Sequence, residues 1–360
     1  MDWEKNILGF IPQKEWLNVG FNVTRQNDPI DGLFGDVRTS NLVAYWETIA
    51  AEYQIPMMAQ FHAFDTITRK TFREPVDTHN IEKGLIKVKI DQSERLRALT
   101  RAGIQEDEIF DYVMRDGIRL AEQVFTRSKV AKNELMASGQ VTINENGLDL
   151  TVDYGVAEDQ LEFTLDLSDS ADVFAQIQDI VDAANGKGKI INGFMTSKKV
   201  LSKIRKNESV QKAINGNYMV GALVRQSALE AYLSDELGIN TIIVNDLTYG
   251  ADAVIDQTTG RPVITTERYY PQDKVTFFAT NMGGKLGTGL WGDPPETDIA
   301  QFMRVNPSSV TPYVYVSQYV ENDPSILWTK ASALYMPVLY DPASLWIATV
   351  SDGAEGETGN

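Results

Sequence analysis

The chain has no cysteine and only two histidines, His62 and His79, in 360 residues. Disulfides and thiolate metal sites are therefore excluded, and the usual pairing of a nucleophile with a histidine base has little to draw on. The two histidines are not set at a helical metal-ligand spacing. Apolar runs approaching the roughly 18 residues that span a bilayer are also missing. Met1-Asp2-Trp3-Glu4-Lys5 lacks the basic start and apolar stretch of a signal peptide. Together these absences predict a protein made in the cytosol and independent of membranes. Positive charge is scarce as well: 33 Lys and Arg stand against 50 Asp and Glu, a net charge of −17. Coating nucleic acid needs clustered Lys and Arg, which such a balance does not provide. An acidic surface keeps the chain soluble, or faces packaged nucleic acid without adhering to it.

The remaining chemical motifs dissolve on inspection. Gly283-Gly284-Lys285-Leu286-Gly287-Thr288-Gly289 lacks the order of a phosphate-binding loop, and Asp293-Pro294-Pro295 follows where a helix should. It reads as a loop or a tight strand crossing. Asp166 to Asp172 lacks the Gly and Glu positions of a calcium loop and reads as a strand end and helix cap. No catalytic, cofactor-binding or metal-ligating residue is assigned, and no cofactor is expected.

What is present is apolar content sufficient for two or three folded domains, organised around Gln105 to Gly155. Glu106, Asp107 and Glu108 open a helix and Arg127, Lys129 and Lys132 lie near its end, the order a helix dipole favours. Phe110, Val113, Gly117, Ala121, Val124, Ser128, Ala131 and Leu135 recur every three or four residues as one narrow stripe. A helix of roughly 30 residues is about 45 Å long, and Ser138-Gly139 stops it. Val141 and Ile143, then Leu148, Leu150 and Val152, alternate about an Asn146-Gly147 turn and predict a hairpin.

Before this girder, residues 1 to about 38 are irregular yet rich in aromatics, which fits an arm lying across other surfaces or a locally packed extension. From Leu42 to Phe64 two readings stand: Leu42, Tyr45, Trp46 and Ile49 fit a helix, while the aromatics and Pro56 suit two short strands, the favoured reading. Asp65 to Asp91 carries Arg69, Lys70, Arg73, Lys83 and Lys87 and closes on the alternation Leu85 to Ile90. With no obvious partner strand, it reads as a long two-stranded loop projecting from the body. After the hairpin, a strand at Leu161 to Leu167 precedes a helix capped by Ser170, with Val173, Ile177, Ile180, Val181 and Ala184 as its stripe. Further strands at Ile190 to Met195 and Thr241 to Val244 alternate with a helix capped by Ser197 and another over Leu223 to Leu237. That pattern predicts a compact α/β unit. Val275 to Ala279 and Tyr313 to Val350 read as β, and Ser351 to Asn360 as a mobile acidic tail.

Several stretches, in order, resemble the lambda-like major capsid proteins of tailed bacteriophages (the capsid protein E family), which have the HK97 fold. Met136-Ala137-Ser138-Gly139-Gln140-Val141-Thr142-Ile143 and Val152-Asp153-Tyr154-Gly155 look like that family's helix end and strand return. Pro271-Gln272-Asp273-Lys274-Val275 and Leu286 to Gly292 resemble its late strand and glycine turn. Asp323-Pro324, Trp328 to Leu334, Pro337 to Pro342 and Ala348-Thr349-Val350 look like its C-terminal signature.

The resemblance implies an α+β fold with an N-terminal arm and first strands (1–56), and an extended β-hairpin E-loop (57–95). It implies a peripheral (P) domain from 96–167 and 305–350, with a spine helix near 105–137 and a hairpin at 140–155. An axial (A) domain of α/β type covers 168–304, and 351–360 is the tail. It implies a non-enzymatic shell protein of the virion, assembled in the host cytoplasm as pentamers and hexamers. The icosahedral shell would enclose double-stranded DNA without sequence-specific binding and expand from procapsid to mature form. Portal and scaffolding proteins are expected partners, with a decoration protein at three-folds as a further one. No long helical scaffolding segment precedes the arm, so scaffold or protease is expected from separate genes. Covalent crosslinking is not inferred from Lys70 or Lys83. Arg69, Lys70, Arg73, Glu74, Lys83 and Lys87 are expected to make contacts between subunits from the loop, and Trp3, Phe10, Trp16 and Phe21 from the arm. The alternatives are an encapsulin-like cellular shell and a soluble α/β enzyme.

Overall fold

The structure, a computed structural model, describes residues 28–49, 75–92, 106–169, 171–216, 221–256, 262–281, 283–297, 313–322 and 325–351, with positions 54 and 58. Strands β1 (Phe34–Arg38), β2 (Val43–Thr48), β3 (Asp77–Glu82) and β4 (Gly84–Gln92) precede the long helix Glu106–Ser138. The hairpin β5 (Gln140–Glu145) and β6 (Leu148–Asp153) follows it directly. β7 (Phe163–Asp166), β8 (Gly193–Thr196) and β9 (Thr241–Val244) alternate with helices Val173–Gly186, Lys198–Lys206, Glu208–Asn215 and Gln226–Leu237. Next come β10 (Thr248–Ile255), β11 (Pro262–Arg268), β12 (Lys274–Phe278) and β13 (Gly287–Gly292). The chain continues through β14 (Tyr315–Asn322), β15 (Ser325–Leu339) and β16 (Leu345–Ser351).

Two sheets organise these elements. In the first, β1, β13, β15 and β14 follow one another, and β4 also pairs with β15. In the second the order is β7-β16-β12-β8-β9. There β12 runs antiparallel to both its neighbours, while β7 and β16, and likewise β8 and β9, pair in parallel. A strand's side chains alternate between faces, and the second sheet uses both. Phe278, Leu345, Ile347 and Met195 face the core built on the long helix. Val275, Phe277, Trp346, Ala348 and Phe194 face the core under the α/β helices. Buried Thr276 donates its hydroxyl to the Met136 carbonyl at 2.7 Å, tying the sheet to the end of the long helix.

The long helix keeps its narrow stripe only in part. Gly117, Ala121, Val124 and Ser128 are buried while Arg119, Glu122 and Gln123 are exposed, as the periodicity requires. From Ser128 to Ala137, however, only Val130 and Glu134 escape full burial. No basic residue lies in the last turn, so Lys129 and Lys132 do not serve the helix dipole as expected; they carry buried charge instead. The Lys132 ammonium lies 3.0 Å from both Asp31 and Asp36 and donates to the Phe34 carbonyl. Lys129 sits 3.6 Å from Asp31. Asp28, also buried, accepts from the Ile30 amide at 3.0 Å and from Asn133 and Asn245. Burial pushes the Asp28 carboxyl above its ordinary range, against the pull of the Ile30 amide and Lys129. The segment from Asp28 to Arg38 is thus clamped along the helix by buried lysines paired with partly exposed carboxylates.

Local chemistry explains most boundaries. Asn146 (φ 50°) and Gly147 (φ 82°) make the β5–β6 turn, both left-handed as a tight hairpin requires. Ser197 accepts from the Val200 amide at 3.3 Å. For the helix Val173–Gly186 the cap is Asp172, accepting from the Ala175 amide at 3.1 Å, rather than Ser170. The expected helix over Leu223 to Leu237 starts at Gln226. The helix Glu208–Asn215, capped by Asn207, was not legible as a separate element. Gly283 to Gly292 resolves into a turn and strand β13, where glycine is needed for contact. A Cβ on Gly287 would lie 2.1 Å from the Val338 carbonyl oxygen and 2.5 Å from the Phe34 ring.

Lys132→Met would remove the buried cation from Asp31 and Asp36, but both carboxylates keep some access to water and Asp31 keeps Lys129, so the cost is about 1–3 kcal/mol, below that of a fully buried pair. The expected outcome is a loss of that size in urea unfolding of the unassembled subunit.

Candidate assembly surfaces

Strand β4 is where the sequence reading and the structure part. The alternation Leu85 to Ile90 does have a partner: β4 pairs antiparallel with β15, from Gly84 opposite Tyr335 to Gln92 opposite Leu327. The strand before it, β3, pairs with β2. Ile86, Val88 and Ile90 turn inward against the first core, and the alternate residues point outward. Outward Lys87 lies 3.5 Å from Glu296, whose carboxylate also pairs with Lys330 and accepts from Ser332 at 3.1 Å. Burial pushes Glu296 up, but Lys330, its own backbone and Lys87 outweigh that and hold the carboxyl below its ordinary range. Two residues on, Lys89 lies 3.8 Å from the centre of the Trp328 ring, a cation–π contact.

Lys83 departs from the expectation of a rim contact. It is 3% exposed, and its ammonium donates to the carbonyls of Asn41 at 2.6 Å and Trp291 at 3.3 Å. Burial pushes its pKa down, partly offset by Asp293. Inside its own subunit this side chain joins the turn before β2 to the end of β13. His79 is placed just as locally: its ring stacks on Trp46 at 5.1 Å and its Nε2 lies 2.8 Å from the Thr48 hydroxyl. Trp3, Phe10, Trp16, Phe21, His62, Arg69, Lys70, Arg73 and Glu74 lie outside the described residues.

The sequence reading missed the ribbon β10–β11. It pairs antiparallel from Thr248 opposite Arg268 to Ile255 opposite Pro262, with a bulge between Gly250 and Asp252. Among the described residues neither strand has a second partner. Its base is anchored: Arg268 reaches Asp246 at 2.8 Å, and Tyr249 donates to Glu267 at 2.8 Å. Its far half is not: Val254, Ile255, Val263 and Ile264 are each more than half exposed. A two-stranded ribbon alone is marginally stable in water, and contiguous exposed aliphatics mark an interaction surface. The signal was available, since aliphatic pairs flank Thr258-Thr259-Gly260-Arg261 on both sides. A second outward apolar face lies on β2, where Val43 and Tyr45 are exposed while Ala44 and Trp46 are buried.

Residues 86–350, well over half of the chain, match the family model described as phage major capsid protein E. The chain belongs to that family. It is a major capsid protein of a tailed bacteriophage, a component of the virion shell, and its fold is the α+β HK97-like capsid fold. No curated protein matches it. Among solved structures, a phage-related protein from Bordetella bronchiseptica RB50 superposes with a TM-score of 0.50 at 11% identity, over 93% of this chain and 95% of that one. At that identity the likeness is one of fold. The capsid of Myoviridae phage XM1 gives 0.47 at 10% identity, over 91% and 94% of the two chains. A virus-like particle from Pyrococcus furiosus gives 0.45 at 12% identity, over 97% and 99%. For a capsid protein the outward faces of β2, β4 and the ribbon are the surfaces of interest, because self-association into a shell is what the family does. No helix among the described residues is long and apolar enough to cross a membrane.

The depressed Glu296 carboxyl has a signed consequence. A group held below its unfolded value adds stability above that value and loses it as pH falls through the folded one. Glu296→Gln is therefore expected to destabilise the subunit at pH 7. The gap to wild type should close as pH drops below the ordinary 4.5 of this carboxyl, read from urea midpoints at pH 7 and pH 3.

Proposed function

We propose that this capsid protein assembles as pentamers and hexamers into a closed icosahedral shell around double-stranded DNA, by way of a procapsid that expands. The observation that carries the reading is the family match over residues 86–350. The net charge of −17 fits a wall that holds DNA without binding it tightly. The division of labour follows the resemblance: an arm and first strands (1–56), an E-loop (57–95, less strand β4, which belongs to the first sheet), a P domain (96–167 with 305–350) and an A domain (168–304). Two hydrophobic cores, one on the long helix and one under the α/β helices, support a division into two packed units. Portal and scaffolding proteins are the partners such assembly needs, a decoration protein at the three-folds is a further one, and the host cytoplasm is its setting.

Contacts between copies are assigned to the loop residues Arg69, Lys70, Arg73 and Glu74, to Lys87, and to Trp3, Phe10, Trp16 and Phe21 of the arm. Lys83 is left out, because its ammonium is already enclosed by its own subunit. Rim ion pairs of this kind stabilise little one at a time, so their role is to set register between copies. The apolar half of the β10–β11 ribbon supplies contact area. Many modest contacts from elements reaching different neighbours make the lattice multivalent.

Two variants test these assignments. Arg73→Glu is expected to abolish or misdirect particle formation, seen by negative-stain microscopy, while leaving the thermal melt of the subunit unchanged. Normal particles from that variant would remove the loop from the contact set. Val254→Asp with Ile264→Asp is expected to leave the fold intact, since both side chains are already exposed, and to lower particle yield in sucrose gradients.

A further inference from the structure

Two helices of the α/β unit each carry charge of a single sign. Lys198–Lys206 reads Lys-Lys-Val-Leu-Ser-Lys-Ile-Arg-Lys, with no acidic residue, in a chain whose net charge is −17. Val200, Leu201 and Ile204 bury its inner face. Lys199, Lys203 and Lys206 then fall at i, i+4 and i+7, one stripe along the opposite side. Val173–Gly186 is the converse, with no basic residue of its own. Val173, Ile177, Ile180, Val181 and Ala184 are buried, and Asp172, Asp179 and Asp182 are exposed along the other side.

Within a subunit the two stripes do not satisfy each other. The helix Glu208–Asn215 packs against both bearing helices, and among the described residues no ion pair joins Lys199 or Lys206 to the aspartates. Among the described residues Lys199, Lys206, Asp179 and Asp182 have no ion-pair partner; Asp182 accepts only from Gln178, at 2.8 Å. Spacing of this regularity on two rigid, well-buried helices offers two complementary surfaces on one molecule. A surface that meets a different surface on the next copy gives a head-to-tail contact, which closes into a ring when the rotation allows.

The geometry points to a heterologous interface in which the lysine stripe of Lys198–Lys206 on one copy faces the aspartate stripe of Val173–Gly186 on the next, around a capsomer axis. This rests on the shell reading above and names the surfaces that would join copies within a pentamer or hexamer. Complementary charge of this kind mostly fixes partner and register and makes association salt-dependent.

The test uses the full-length chain and particle yield in sucrose gradients. Lys199→Glu with Lys206→Glu is expected to lower yield about tenfold or more relative to wild type. Asp179→Lys with Asp182→Lys is expected to do the same, and all four changes together should restore yield, because complementarity returns with the signs exchanged. Near-normal yield from either pair would overturn the proposal, as would a folded quadruple variant that fails to recover. Normal shells that lose DNA content on lysine reversal would assign the stripe to nucleic acid instead, and overturn it too. If the reversal unfolds the subunit, Lys199→Gln with Lys206→Gln is scored: the proposal expects lower yield and a flatter salt dependence, and an unchanged salt dependence overturns it. Failure of the wild-type chain to form any particle even when co-expressed with its scaffolding protein would instead sink the shell reading itself.

Discussion

Alternation along β12 and β16 is the constraint on which the rest of the molecule depends. Each of these strands sends one set of side chains to the long-helix core and the other to the α/β core. Trp346 and Ile347 are adjacent in sequence and belong to different cores. A shift of one residue in the pairing of β12 with β16 would exchange the two sets. The relative placement of the girder helix and the α/β unit is therefore set by register, with no linker between them to flex at this sheet. For a shell subunit this matters, since contacts made by one unit are held at a fixed angle to contacts made by the other.

A second constraint works along the helix. Lys129 and Lys132 are drawn into a dry environment by Asp31 and Asp36, and the β1 segment follows because it carries those carboxylates. β1 in turn pairs in parallel with β13, from Phe34 opposite Gly287 to Arg38 opposite Trp291. Gly287 permits that approach, and Trp291 fills the space beyond it against Phe125, Tyr313 and Tyr335. Charge and packing are coupled here: the ion pairs hold β1 where the glycine strand needs it.

Elements governed by local periodicity and turn chemistry were legible in the sequence. The long helix, the Asn146-Gly147 hairpin and the stripe of Val173, Ile177, Ile180, Val181 and Ala184 follow from spacing alone, and the structure has each of them. What could not be read is pairing at long range. Leu85 to Ile90 announces a strand, but nothing near it says that the partner lies at Leu327 to Tyr335. The same limit hid the burial of Lys83 and Lys132, because a lysine in sequence gives no sign of the carbonyls or carboxylates that will enclose it. The family resemblance supplied what spacing could not, since motifs in order carry topology that periodicity does not. The loop and arm residues assigned to contacts rest only on that analogy, while the aliphatic pairs of the ribbon stand in the sequence and only their outward exposure needed the fold.

The parallel pairing of β7 with β16, Phe163 opposite Ala348, has a kinetic consequence. The central sheet of the α/β unit cannot close until residues far downstream of β7 have left the ribosome, and such distant pairing is slow to form. Nascent chains therefore reach translation's late stage with this sheet open and β12 lacking one neighbour. A chain broken off before Leu345 never completes the layer that joins its two cores. Synthesis itself thus screens the pool of subunits, withholding a rigid tile from any polypeptide not made through β16.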